Sequence, residues 1–155
     1  MTETGVSGDC RRVAVERQLT AVVKVEAPMN ALPEAQRAAR RKISAVLPTL
    51  EAGAVGNGIT LWRPSVDGRL PMEPGVIVAR DFPAQGEVVP SSLPAGRAAQ
   101  FVLKGSYEGL PGGWRTLLGW CKAERLKLAG INWEIYGPWT EKIEDLETTL
   151  YALLG

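Results

Sequence analysis

The sequence predicts an α+β fold: internally duplicated βαββ-type units that join into an antiparallel sheet with two helices and a central groove. Three observations point there. Segments rich in β-branched residues alternate with two stretches at helical spacing. Both helical stretches open on the same Leu-Pro step, Leu32-Pro33 and Leu110-Pro111. Finally, Met29-Asn30-Ala31-Leu32-Pro33-Glu34-Ala35 superposes on Tyr107-Glu108-Gly109-Leu110-Pro111-Gly112-Gly113 at an offset of 107 − 29 = 78. Two copies make a duplication and not a solenoid.

In the first copy, Arg12–Leu19 and Thr20–Val25 read as strand, bulge, strand. Ala27-Pro28-Met29-Asn30 reads as a turn. Leu32-Pro33 opens a helix, with proline where the first turn tolerates it and Glu34 near the positive end of the helix dipole. Ala35, Ala39, Ile43, Val46, Leu47 and Leu50 recur on one face, while Arg37, Arg40, Arg41 and Lys42 form a solvated face. Gly53, Gly56, Asn57 and Gly58 break the chain. Ile59–Trp62 and Met72–Arg80 follow as strands.

The pattern then restarts. Glu87–Val89 and Ala98–Leu103 read as strands joined by a loop through Ser91 and Ser92. Ser106–Gly109 is a turn. The second helix buries Trp114, Leu117, Leu118, Cys121 and Leu128 and ends at Gly130 as a C-cap. Ile131–Tyr136 is a strand that alternates Glu134 and Tyr136 on one face with Trp133 and Ile135 on the other. Leu146–Leu153 is the last strand. The boundaries are a disordered tail over 1–10 and a single domain over 11–155, with pseudo-repeats at about 11–82 and 86–155.

The composition narrows the chemistry. The 155 residues suffice for one domain with a real core, and the net charge of +1 argues against binding nucleic acid by bulk electrostatics. Residues 11–63 hold nine Lys/Arg against four acids, 9 − 4 = +5, and residues 131–155 hold one Lys against five acids, 1 − 5 = −4. With no histidine, a Ser-His-Asp triad and most zinc or haem ligation are excluded. Cys10 and Cys121 stand far apart in the sequence and read as reduced thiols of a cytoplasmic protein. No apolar run approaches a membrane span, and no signal peptide opens the chain. Gly53–Gly58 has no Gly-Lys-Ser/Thr step and is no phosphate loop.

Leu93-Pro94-Ala95-Gly96-Arg97-Ala98-Ala99, then Gly105–Leu110 running into Trp114–Trp120, then Trp133-Glu134-Ile135-Tyr136 resembles the GyrI-like small-molecule-binding domain, over about residues 11–154. That domain is also the effector-binding part of some bacterial transcription activators. The resemblance implies a groove for lipophilic, often aromatic and cationic compounds. It puts the family's Glu-x-Tyr pattern on Glu134 and Tyr136, with the carboxylate answering a ligand's positive charge. Some free-standing relatives are associated with hydrolysis of cyclopropane-bearing DNA-alkylating natural products. About ten residues precede the first strand, which leaves no room for a helix-turn-helix, so direct nucleic-acid binding is not expected.

The candidate ligand-binding residues are therefore Glu134, Tyr136, Tyr107, Trp62, Trp139, Trp114 and Met29, with Trp133 read as core. A carboxylate among aromatic rings is partly desolvated and welcomes a cation, and each ring adds about 0.5–2 kcal/mol of cation–π attraction. The expected activity is capture of a hydrophobic aromatic or cationic small molecule between the two repeats. The alternative is an enzyme that opens cyclopropane rings, with Glu134 as general base and Tyr136 steadying the developing oxyanion. A third reading is an interaction domain that clasps a protein segment. No cofactor, metal or membrane is expected, and a homodimer is compatible with the sequence.

Overall fold

The computed structural model describes residues 9–155 and has the expected α+β character: strands paired antiparallel, and two long helices. Most of the expected tail lies outside the described residues. Its last member, Cys10, is half-buried against a helix. By internal contacts the chain divides into two compact units, 16–95 and 96–155, and the second unit also takes the chain up to Val15.

The strands and helices are β1 (Arg11–Val15), β2 (Gln18–Val23), β3 (Val25–Pro28), α1 (Leu32–Val46), β4 (Val55–Trp62), β5 (Arg69–Val78), β6 (Val88–Leu93), β7 (Gly96–Lys104), α2 (Leu110–Ala123), β8 (Leu128–Tyr136) and β9 (Glu147–Leu154).

In the 16–95 unit the sheet order is β4-β5-β2-β6, with β3 continuing beside β5. The helix α1 lays Ala39 and Ile43 on Ala21, Val23, Val78 and Val88. Full burial of a side chain such as Ile43 stabilises by about 1.5–3 kcal/mol. At the β2–β5 contact, Val22 faces Gly75. A Cβ on Gly75 would collide with the Ala21 carbonyl oxygen, so glycine is required there by close backbone approach.

The sheet of the 96–155 unit runs β1-β7-β9-β8. Its helix α2 buries Leu117 and Cys121 against Ala99, Phe101, Leu103, Leu150 and Ala152. The helix comes close to the sheet at Gly113, where a Cβ would stand 3.1 Å from Leu150 Cδ1.

The duplication is visible in the strand order. β4-β5-β2 in one unit matches β8-β9-β7 in the other, and each set carries its helix between corresponding strands. The fourth strands are exchanged. β1, which opens the first repeat in sequence, pairs with β7, and β6, which opens the second, pairs with β2. The unit boundaries in space therefore differ from the repeat boundaries along the chain.

Several element boundaries differ from expectation, each for a local reason. The helix α2 stops at Ala123 and not at Gly130. Arg125 takes the left-handed conformation (φ 58), Leu126 N–H bonds Cys121 O at 2.9 Å and Arg125 N–H bonds Lys122 O at 3.1 Å. This is a Schellman end with arginine where glycine is usual, so the residue type gave no signal. Gly130 lies instead inside β8, where the register shifts between Leu128 and Asn132, and Leu128 is exposed and not part of the helix core.

The glycines of 53–58 likewise do not end the structure. β4 starts at Val55 and bulges before Gly58. Ala27 and Pro28 belong to β3, and Ser91 and Ser92 to β6, where turns and loops were expected. On α1, Arg37, Arg41 and Lys42 are exposed as read, but Arg40 is not on a solvated face. Its guanidinium folds onto the sheet and donates to Ile59 O (3.0 Å), Gly75 O (3.2 Å) and Thr60 Oγ1 (3.0 Å).

Candidate functional site

Glu134 lies near the end of β8, opposite Leu150 on β9. Leu150 is core beneath α2, so the strand's alternation turns Glu134 and Tyr136 toward that helix. One turn into α2, Trp114 reaches down to the same place. Its indole Nε1–H donates to Glu134 Oε2 at 2.7 Å, and the Tyr136 hydroxyl donates to Glu134 Oε1 at 2.6 Å. The carboxylate is only 4% exposed, and each of its oxygens holds a short, charge-assisted hydrogen bond.

Tyr107 extends this group. It begins the one-turn helix before α2, which Ser106 caps by accepting from Glu108 N–H at 3.0 Å. The Tyr107 ring meets the Tyr136 ring edge to face, with centroids 5.9 Å apart at 75°. Tyr107 remains 43% exposed. The arrangement is a buried carboxylate fixed by two donors, with aromatic rings leading outward to solvent.

Four of the seven candidates thus come together: Glu134, Tyr136, Trp114 and Tyr107. Trp139, in the stretch after β8, is 74% exposed. Trp62 and Met29 belong to the 16–95 unit. Trp62 closes β4 opposite Met72, partly buried, and its indole N–H lacks a partner among the described residues. Met29 is 71% exposed. Trp133 is core as read, buried and stacked on Tyr151 at 5.1 Å and 9°.

Two features carried no clear sequence signal. The duplication pairs Trp114 with Gln36 (114 − 78 = 36) and Glu134 with Thr60. Those positions touch as well: Gln36 Nε2–H donates to Thr60 Oγ1 at 3.1 Å. The same helix-to-strand bridge joins two uncharged side chains in one unit, where the Arg40 guanidinium also donates to both, and involves a carboxylate in the other. The second feature is Glu73 on β5, buried between Met72 and Pro74. Arg63 Nη2 stands 3.2 Å from its Oε2, and the Ser91 hydroxyl donates to its Oε1 at 2.6 Å. Its unusual position between Met72 and Pro74 was the only cue.

A family model, the GyrI-like small molecule binding domain, matches residues 11–154. The chain belongs to the GyrI-like family. Among solved structures, this GyrI-like domain is similar to the C-terminal domain of EcmrR, at 13% identity and a TM-score of 0.78, over 96% of this chain and 98% of that one. It is also similar to SAV2435 bound to tetraphenylphosphonium, at 11% identity and a TM-score of 0.71, over 95% and 94%. A protein described as a hydrolase from Listeria innocua resembles it at 14% identity and a TM-score of 0.64, over 94% and 91%. At such identities these likenesses concern the fold. No curated protein matches the sequence. Among the described residues of this GyrI-like domain, no helix is long and apolar enough to cross a membrane.

Proposed function

We propose that this GyrI-like domain captures lipophilic aromatic cations, with Glu134 as the charge that receives them. The observation that carries the reading is the buried Glu134 carboxylate held between Trp114 and Tyr136, with Tyr107 stacked edge-on outside it. A buried charge is costly unless it is paired and hydrogen-bonded. Here the two donors steady it, and an arriving cation gains both its field and the ring faces. Tetraphenylphosphonium, seen on SAV2435, is the natural probe.

The test uses two ions of one shape and opposite sign. Tryptophan fluorescence is titrated with tetraphenylphosphonium and with tetraphenylborate. Quenching that saturates with the cation alone supports the reading; equal affinity for the two ions sinks it.

A second reading, ring-opening hydrolysis, draws on the 2.6 Å contact of the Tyr136 hydroxyl with Glu134, a pair suited to handling a proton. It is the weaker of the two. Both Glu134 oxygens already accept hydrogen bonds, which suits a fixed charge better than a base that must take a proton from water. Water addition to an activated cyclopropane, followed by mass spectrometry, decides this reading: no product above background removes it.

A further inference from the structure

The two cysteines of the chain stand 121 − 10 = 111 residues apart, yet the fold brings them to one place. Cys121 is buried on the inner face of α2, within the cluster of Phe101, Leu117 and Ala152. Cys10, immediately before β1, packs against that same cluster. Its Sγ lies 4.0 Å from Thr116 O, on the turn of α2 that precedes Cys121. The cause is topological. β1 pairs with β7 from Arg11↔Gln100 onward, and α2 packs across β7, so the residue before β1 is delivered to the helix.

We propose that Cys10 and Cys121 form an intramolecular disulfide on exposure to a low-molecular-weight disulfide, fastening the start of β1 to α2. Cys10 is the more accessible thiol and reacts first. Its thiolate attacks one sulfur of the small disulfide, giving a mixed disulfide and releasing one small thiolate, which takes up the proton that Cys10 lost. The Cys121 thiolate then attacks the Cys10 sulfur. The second small thiol leaves with the second proton. The two protein thiols are oxidised, and the one small disulfide is reduced to two thiols. The nearness of the pair also shows in the charges: burial, and then the facing Cys121, push the Cys10 thiol up to about 11. The reduced pair is therefore slow to react at neutral pH, and the reaction quickens in mild alkali.

The full chain is incubated with oxidised glutathione at about pH 8.5. The expected result is loss of both free thiols in parallel and a mass lower by about 2 Da. The midpoint of thermal unfolding should also rise by about 10 °C, because the closed loop is long. Dithiothreitol should reverse all three. Cys10→Ser and Cys121→Ala should each abolish the rise. Persistent glutathione on Cys10 with Cys121 still free, covalent dimers, or two unreacted thiols would overturn the proposal.

Discussion

The Trp114 indole N–H and the Glu134 carboxylate meet at 2.7 Å, tying the first turns of α2 to the end of β8. The bond does two things at once. It satisfies a buried carboxylate oxygen, and it fixes the indole that donates to it. The corresponding residues of the other repeat, Gln36 and Thr60, keep the bridge without a carboxylate, and the Arg40 guanidinium donates to both.

Glu134→Gln should preserve the fold, since an amide keeps one acceptor for these donors. Removing the charge should weaken tetraphenylphosphonium binding by roughly 10- to 100-fold. Tryptophan quenching, with circular dichroism as the folding control, measures both.

Trp114→Phe keeps an aromatic ring and removes the donor. It should cost about 1–3 kcal/mol of stability, because Glu134 Oε2 loses a hydrogen bond while still buried. Tyr136→Phe removes the donor to Oε1 in the same way. Both donors serve one carboxylate, so urea unfolding of the double variant should depart from additivity by at least about 0.5 kcal/mol.

Neighbouring arginines on α1 should differ sharply. Arg40→Met strips the hydrogen bonds to Ile59 O, Gly75 O, Thr60 Oγ1 and Gln36 Oε1 and should destabilise by about 2–4 kcal/mol. Arg41→Met, on the exposed side, should stay within about 0.5 kcal/mol. The two urea midpoints give the comparison directly.

Thr148 on β9 is fully buried, and its hydroxyl has no hydrogen-bond partner among the described residues. Thr148→Val replaces that hydroxyl with a methyl of similar size. Thermal unfolding should show unchanged or higher stability, by up to about 1 kcal/mol.

The reduced protein should lose stability in alkali in part through Cys10. In the folded state its thiol titrates near 11, raised from 9.0 by burial, the facing Cys121 and Asp9. Between those values the folded chain holds a proton that the unfolded chain has released. Stability from this group is therefore complete below about pH 9 and falls as pH rises toward 11. Cys10→Ser should flatten that part of the curve, measured by urea unfolding at several pH values under dithiothreitol.

Much of the fold was legible in local patterns. The repeated Leu-Pro helix starts and the β-branched runs gave the two helices and most strands. Glu134 stood out as a carboxylate in an aromatic strand, but strand position alone favoured an exposed glutamate, and the family resemblance was what set it among rings; alternation put Tyr136 on the same face. Other features depended on partners distant in sequence. Arg40 looked like its solvated neighbours until the backbone carbonyls of β4 and β5 came within its reach. The end of α2 was missed because Arg125 adopts a conformation that sequence reserves for glycine. Trp114 read mainly as core, since helical spacing cannot tell an indole that packs from one that donates.

The sequence by itself determined the α+β class, the duplication and the identity of the one carboxylate set among aromatic residues. These rest on residue type and period, which are local properties of the chain. Tertiary structure decided which strands pair across the repeats, that Trp114 and Tyr136 both donate to Glu134, and that Cys10 meets the face of α2 holding Cys121. Those relations join residues far apart along the chain, and only antiparallel register and helix-on-sheet packing bring them within a few ångströms.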